Sequence, residues 1–291
     1  MKDYLVRAMT TTGHIRAFTC VTSGLVREIC ERHETSPTAT AALARALTGG
    51  ALMSALLQDG QRIALKFEGN GPLRKILVEA DSAGHVRGYV AVPQLDLPLR
   101  QGNFDVAAAL GKAGFLTVTK DLRLKEPYKG VVQLHSSEIA EDLAYYFAES
   151  EQIPSATGTG VFIESSGRVA SAGGFLIQSL PPADELQIEA LIGQIEKLPP
   201  LAELLQQGLD PEGLLTEIFR DIPFTLLGTM PLSSQCHCSE QRMKKALSAL
   251  GPDELNKMSL EADASEIICE FCRAHYVFGP EDIHALVESI C

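Results

Sequence analysis

Apolar and polar residues alternate in two short runs near the start of the chain, over residues 3–10 and 14–21. A period of two marks a half-buried strand, so these runs predict a strand pair joined at Thr12-Gly13. The period then lengthens. Residues 23–32 predict a helix. Ser36 followed by Pro37 predicts the start of another, with Ser as N-cap and Pro at the first helical position. The stretch from there to about Leu57 is rich in Ala and Leu and predicts a central buried helix, in which Gly49-Gly50 permits close helix–strand contact. Over residues 62–68 the alternation returns, with Ile63, Leu65 and Phe67 on one face, and Gly69-Asn70-Gly71-Pro72 predicts a turn.

Residues 73–80 and 85–92 predict a second strand pair around Ser82-Ala83-Gly84. The segments 12–18 and 83–89 echo each other, as two hairpins meeting the same turn demands. Further strands are predicted at 115–120, 130–135, 160–164 and 168–178, with a helix over 137–149. Gly158-Thr159-Gly160 predicts a turn, and Gly173-Gly174 a bulge or close packing. Strands in pairs with turn-sized gaps predict an α+β fold, a mostly antiparallel sheet with packed helices rather than a doubly wound sheet.

Past Pro181-Pro182 the pattern becomes helical. Ile188, Leu191, Ile192 and Ile195 fall at helical spacing. Pro199-Pro200 interrupts, Leu201, Leu204 and Leu205 continue the stripe, and Asp210-Pro211 caps a helix carrying Leu214, Leu215, Ile218 and Phe219. Helices this short need a surface to pack on, so their apolar faces are expected to be hidden against the first domain. From about Met230 the pattern predicts a helix over 239–250, a strand pair at 266–269 and 274–278, and a helix starting at Pro280. The expected organisation is an α+β core over 1–180, a helical linker over 181–229 and a small C-terminal domain over 230–291.

Cysteine placement changes the picture of that last part. The chain has seven cysteines. Cys20 and Cys30 are expected as buried free thiols, and Cys291 as a terminal bystander. The others form Cys-x-Cys (Cys236, Cys238) and, thirty residues on, Cys-x-x-Cys (Cys269, Cys272). Four thiolates close a tetrahedral shell around Zn²⁺ at distances of about 2.3 Å. His237 and His275 lie nearby, but four sulfurs already saturate zinc; an iron–sulfur centre is the other metal reading. The site is either a static clip, which the spacing alone favours, or a switch. Oxidation to a disulfide removes two ligands at once, and a module of roughly 60 residues has little core to stay folded without them.

Charge and motifs narrow the function. Lys and Arg number 25 against 37 Asp and Glu, a net charge of −12, which disfavours nucleic acid and anionic membrane as partners. The chain opens straight into a strand pattern, and the long apolar stretch 39–57 carries Arg45 with several Thr and Gly, so a cytoplasmic protein is expected. No phosphate loop, nucleophile elbow or H-E-x-x-H motif is present, and the chain is not expected to be an enzyme.

The cysteine pattern behind a body with two other cysteines resembles the heat shock protein 33 family of redox-regulated bacterial holdase chaperones. The resemblance runs along the chain: Asp3-Tyr4-Leu5-Val6-Arg7-Ala8, the helix over 37–53, Phe67-Glu68-Gly69-Asn70-Gly71-Pro72, Gly84-His85-Val86-Arg87-Gly88-Tyr89, Ala172-Gly173-Gly174-Phe175 and Thr229-Met230-Pro231. The most specific stretch is Tyr145-Tyr146-Phe147-Ala148-Glu149-Ser150-Glu151-Gln152-Ile153-Pro154. The resemblance implies zinc on Cys236, Cys238, Cys269 and Cys272 in a reduced, inactive form. It also implies disulfides Cys236–Cys238 and Cys269–Cys272 on oxidation, release of zinc, unfolding of the C-terminal module and ATP-independent binding of unfolding client proteins by a form that dimerises. Two other readings remain. A zinc-ribbon nucleic-acid binder would use Arg242, Lys244 and Lys245. A thiol–disulfide oxidoreductase would use Cys269 and Cys272.

A Cys236–Cys238 bond closes a very small ring and is expected to be strained. During slow reduction of the oxidised protein it should reopen before Cys269–Cys272. Mass spectrometry of quenched time points checks the order, and earlier opening of Cys269–Cys272 contradicts it.

Overall fold

In a computed structural model, residues 2–261 and 264–290 are described. They divide into two compact units, Met1–Gln235 and Cys236–Cys291. The first unit begins with β1 (Tyr4–Thr10), β2 (Ile15–Val21), α1 (Ser23–Arg32) and α2 (Pro37–Ser54), then β3 (Arg62–Gly69), β4 (Lys75–Asp81) and β5 (His85–Val90). A short α3 (Val106–Leu110) leads to β6 (Gly114–Asp121), β7 (Tyr128–Gln133), α4 (Ile139–Ser150), β8 (Ser155–Ile163) and β9 (Val169–Ser179). Three helices follow, α5 (Glu185–Ile195), α6 (Leu201–Gln206) and α7 (Pro211–Phe219), and then β10 (Phe224–Pro231) and β11 (Ser233–Ser234). The second unit holds α8 (Glu240–Ser248), α9 (Pro252–Glu261), β12 (Ser265–Ile268), β13 (His275–Phe278) and α10 (Pro280–Ile290).

The first unit carries two sheets, in the orders β10-β1-β2-β9-β8 and β11-β5-β4-β3-β6-β7. Every pairing is antiparallel except the short parallel contact of β11 with β5. The architecture is therefore α+β. Helix α2 is buried along nearly its whole length, which a helix without a polar face requires. Its Leu43 and Leu47 share one apolar cluster with Leu5 and Phe18 of the first sheet and Leu65 and Val78 of the second. Its buried hydroxyls are partnered: Thr48 with Thr22 at 2.8 Å, and Thr38 donating to Asp96 at 2.9 Å. Ser36 stands at the N-cap position, but its side chain donates to Gln94 at 3.1 Å. The free N–H of Thr38 goes instead to Asp96 Oδ1 at 3.3 Å.

The first sheet is apolar on both faces. Along β1, Leu5 joins the α2 cluster, whereas Val6 and Ala8 face a second cluster with Leu191 of α5 and Leu215, Ile218 and Phe219 of α7. Leu204, Leu205 and Leu214 pack on Val21. The expectation that this stripe is hidden holds for these residues, while Ile188 and Ile195 are partly buried. It fails for Ile192, which is 49% exposed. Helix α6 lies on a floor of glycines. A Cβ on Gly158 or Gly173 would stand 2.9 Å from Leu201 Cδ1 or Leu205 Cδ2, and one on Gly160 2.8 Å from Leu201 Cβ. Gly158-Thr159-Gly160 is thus mid-strand in β8, not a turn; its glycines answer to a helix above them rather than to a reversal of the chain.

Four elements escape the sequence patterns: α3, α9, β10 and β11. Strand β10 shows no alternation because most of it is exposed at the sheet edge, and a register shift opposite Arg7 and Ala8 breaks its period. The helical pattern read over 181–229 accordingly ends at Phe219.

Gly50 tests the packing of α2. A Cβ there would stand 2.6 Å from Val78 Cγ1. Ala gains up to about 1 kcal/mol in helix propensity, but overpacking a core costs about 1–3 kcal/mol. Gly50→Ala is therefore expected to lower the urea midpoint; a midpoint at or above that of the parent would show that Val78 yields freely.

Candidate metal centre

The second unit brings four sulfurs together from two turns. Cys236 and Cys238 precede α8, whose start is fixed by the Ser239 hydroxyl accepting from the N–H of Arg242 at 3.3 Å. Cys269 and Cys272 sit in the reversal between β12 and β13. There the Cys269 N–H donates to the Ala274 carbonyl at 2.9 Å and the Arg273 N–H to the Cys269 carbonyl at 2.8 Å. Arg273 takes a left-handed conformation, φ 58°, to close the turn.

All four Sγ atoms lie within 4.8 Å of one another. Cys236 and Cys269 are 3.8 Å apart, Cys238 and Cys272 3.2 Å. A tetrahedron with metal–sulfur bonds of about 2.3 Å has edges of about 3.8 Å, so the residues present fit a tetrahedral thiolate-bound ion. They are free thiols rather than disulfides, whose sulfurs stand about 2.05 Å apart. Cys269 is buried and the other three are half-buried. Neither histidine belongs to the sulfur group: the His275 ring is held by Glu266 at 2.6 Å, and the His237 carbonyl accepts from Arg242 at 2.8 Å.

The thiols are not equivalent. Burial pushes Cys238 up, but hydrogen bonds from Tyr276 first, then from Cys272, Cys236 and Cys269, outweigh it and bring the group down to about 7. Burial pushes Cys272 up to about 12; the Ala274 N–H acts against this, and sharing a proton with Cys238 adds to it. The Tyr276 hydroxyl donates to Cys238 Sγ at 3.1 Å and is itself raised to about 12, first by that bond and then by burial. Four converging sulfurs, one of them eased toward its thiolate by donors, suit a soft cation.

Around the sulfurs lies a small apolar core of Leu247, Leu255, Phe278 and Ile283, joined at its edge by the Tyr276 ring. Of the cations that a nucleic-acid surface would need, Lys244 is held by Glu240 at 2.8 Å and Asp282 at 3.4 Å, and Arg242 by the His237 carbonyl. Cys269 and Cys272 lie between two strands rather than at a helix N-terminus, where a redox Cys-x-x-Cys is activated. Cys20 and Cys30 lie in the first unit, both buried; burial raises the thiol of each, Cys30 to about 12. Cys291 lies outside the described residues.

Residues 3–279 match the family model described as Hsp33 protein. The chain belongs to the Hsp33 family. It is 54% identical over 290 residues to the 33 kDa chaperonin of Citrifermentans bemidjiense, covering 100% of this chain and 98% of that one. It is 55% identical over 288 residues to the 33 kDa chaperonin of Geobacter sulfurreducens, covering 99% and 96%. The crystal structure of the Thermotoga maritima 33 kDa chaperonin superposes with a TM-score of 0.92 at 38% identity, covering 99% of each chain. The family is a non-enzymatic one of chaperones. Among the described residues no helix is long and apolar enough to cross a membrane.

Phe278 is fully buried in the small core beside the sulfurs. Phe278→Ala should cost about 3–5 kcal/mol. Hydrogen exchange is expected to quicken across residues 240–290 while β1, β2 and α2 keep their protection; quickened exchange spread equally over both units would contradict the separation of the two cores.

Proposed function

We propose that this Hsp33-family chaperone is a redox-switched, ATP-independent holdase with zinc held by Cys236, Cys238, Cys269 and Cys272. The observation that carries the reading is the convergence of these four sulfurs at tetrahedral spacing in a unit with little other core. Bound zinc supplies the positive charge that keeps the sulfurs as thiolates and ties the two turns together. Structural zinc contributes on the order of 10–16 kcal/mol to small modules. One buried apolar side chain contributes about 1.5–3 kcal/mol.

In the resting form the four cysteines are reduced and the chaperone is inactive. Under peroxide, Cys236 closes on Cys238 and Cys269 on Cys272. Each pair of thiolates gives up two electrons as its S–S bond forms, and these with two protons reduce one peroxide to two waters. Either bond withdraws two ligands, so the metal is released and the module loses its main support. The division of labour follows the chain: a core over 1–180, a helical linker over 181–229 as cover, and a sensor over 230–291. Loss of the sensor frees the linker, and the apolar face of the first sheet becomes available to unfolding clients and to a second copy of the chain. The short helices α5 and α6 and the half-exposed Ile192 support a cover that is easily displaced. A net charge of −12 helps such a form stay soluble, in the cytoplasm as its setting.

Peroxide at elevated temperature is expected to release about one zinc per chain and to switch on suppression of client aggregation, followed by light scattering. Equal suppression by the reduced, zinc-loaded protein would overturn the switch.

A further inference from the structure

Helix α5 does not fill the space beneath it. A cavity of about 190 Å³ lies between the helix and the first sheet. Its roof is Ile188, Leu191, Ile192 and Ile195, a stripe at helical spacing along α5, and its mouth lies at the half-exposed Ile192. The floor includes Ile15 of β2, Ile177 of β9 and Ala156 of β8. Ala156 stands opposite Ile177 in the β8–β9 ladder, so the floor carries only a methyl beside the bulkier isoleucine. Protein interiors hold few voids larger than a water molecule, and a single water needs only about 10–15 Å³ of such space.

The lining decides what fits. None of the described residues that form it carries a charge, and its polar side chains are two serines, Ser155 and Ser179. The Ser155 hydroxyl is already engaged, donating to the Ile153 carbonyl at 2.9 Å and accepting from the Gln178 amide at 2.9 Å. A charged or sugar-like ligand would lose its hydration here without replacement. Water also needs several polar partners, whereas an apolar cavity of about 150 Å³ stays dry and takes benzene. We propose that this cavity binds a small uncharged apolar molecule of the size of benzene or toluene, and that the molecule, gripping helix and sheet together, holds α5 in place. Both walls are needed, so only the seated helix binds, and ligand at concentration L favours seating by the factor 1 + L/Kd. Binding rests on the cavity alone; its consequence for the switch rests on the cover reading above.

In the test, toluene is titrated into the reduced full-length chain and followed by isoleucine methyl resonances. Shifts are expected at Ile15, Ile177, Ile188 and Ile195, and not at Ile29, Ile63 or Ile76, which lie in the cluster around α2. No shift up to the solubility limit of toluene, or shifts spread evenly over both sets, overturns the site. At ten times the Kd so measured, amide exchange across α5 should slow by about tenfold; unchanged exchange overturns the grip on the helix. Ala156→Leu fills the floor and should abolish saturable toluene binding, while binding equal to that of the parent overturns the placement. If this variant does not fold, the methyl map of the parent decides the placement. Toluene should also slow the onset of aggregation suppression under peroxide, and an onset as fast as without it overturns the consequence for the switch. A parent that peroxide never activates sinks the cover reading, and the methyl shifts and α5 exchange still decide the site.

Discussion

Four sulfurs within 4.8 Å of one another are the constraint on which the C-terminal unit depends. Thiolates at that spacing repel, and the repulsion grows as solvent is excluded. The structure meets this by sharing: one sulfur is drawn down toward neutrality by donors, its partner is pushed up, and a tyrosine hydroxyl takes part of the charge. The same arrangement that makes the sulfurs uncomfortable together makes them a good soft-metal cage. The core that supports the two turns is small, with four buried apolar residues among those described.

The first unit solves a different problem. Its first sheet has two apolar faces, and the two are covered by unlike elements. Helix α2 is long, buried along nearly its whole length and shared between both sheets, so it cannot leave without dissolving the core. On the other face lie three short helices. The last of them is anchored by polar bonds, Tyr4 donating to Glu212 at 2.6 Å and Thr19 to the Pro211 carbonyl at 2.8 Å. Helix α5 has an exposed Leu186 and Ile192 and a single side-chain bond to the hairpin, Thr12 with Gln187 at 3.0 Å. Helix α6 is seated by its buried Leu204 and Leu205 and by glycines that let its backbone approach the sheet. The cover is thus graded, firm at α7 and light at α5.

Sequence patterning reaches most of this and fails for definable reasons. The strand pairs β1–β2 and β4–β5, the helices α1 and α2 and the four-cysteine set are legible because each is a local signal: alternation, a Ser-Pro start, a spacing of ligands. The glycine pair of β8 misleads because a glycine required by a helix from elsewhere looks the same as one required by a turn. Strand β10 is invisible because its identity comes from pairing with β1, some two hundred residues earlier, and not from its own exposed residues. The role of Ser36 misleads in the same way, since a loop near Asp96 takes over the capping. Tyr276 carries no signal at all in the sequence; only the β12–β13 register brings its hydroxyl to Cys238.

The segment missed by patterning is also the one that connects the two parts of the chain. Residues 224–234 complete both sheets in turn, β10 beside β1 and β11 beside β5. Between them the Leu232 N–H donates to the Asp3 carbonyl at 3.0 Å and the Ser233 N–H to the Gly84 carbonyl at 3.1 Å. The Gln235 N–H reaches the Val86 carbonyl at 3.4 Å, and the next residue is Cys236. The strap is held by these main-chain bonds and by the buried Met230 and Leu232, and at its start the Phe224 ring packs against Phe219 of α7 with centroids 5.1 Å apart. Backbone bonds at an exposed edge open at lower free energy than those of a central strand. In the proposed switch, loss of order at Cys236 therefore meets the β11–β5 pairing and then the edge ladder of β10 with β1 before any other. That ladder is followed, going back along the chain, by α7, α6 and α5, the helices that cover the sheet.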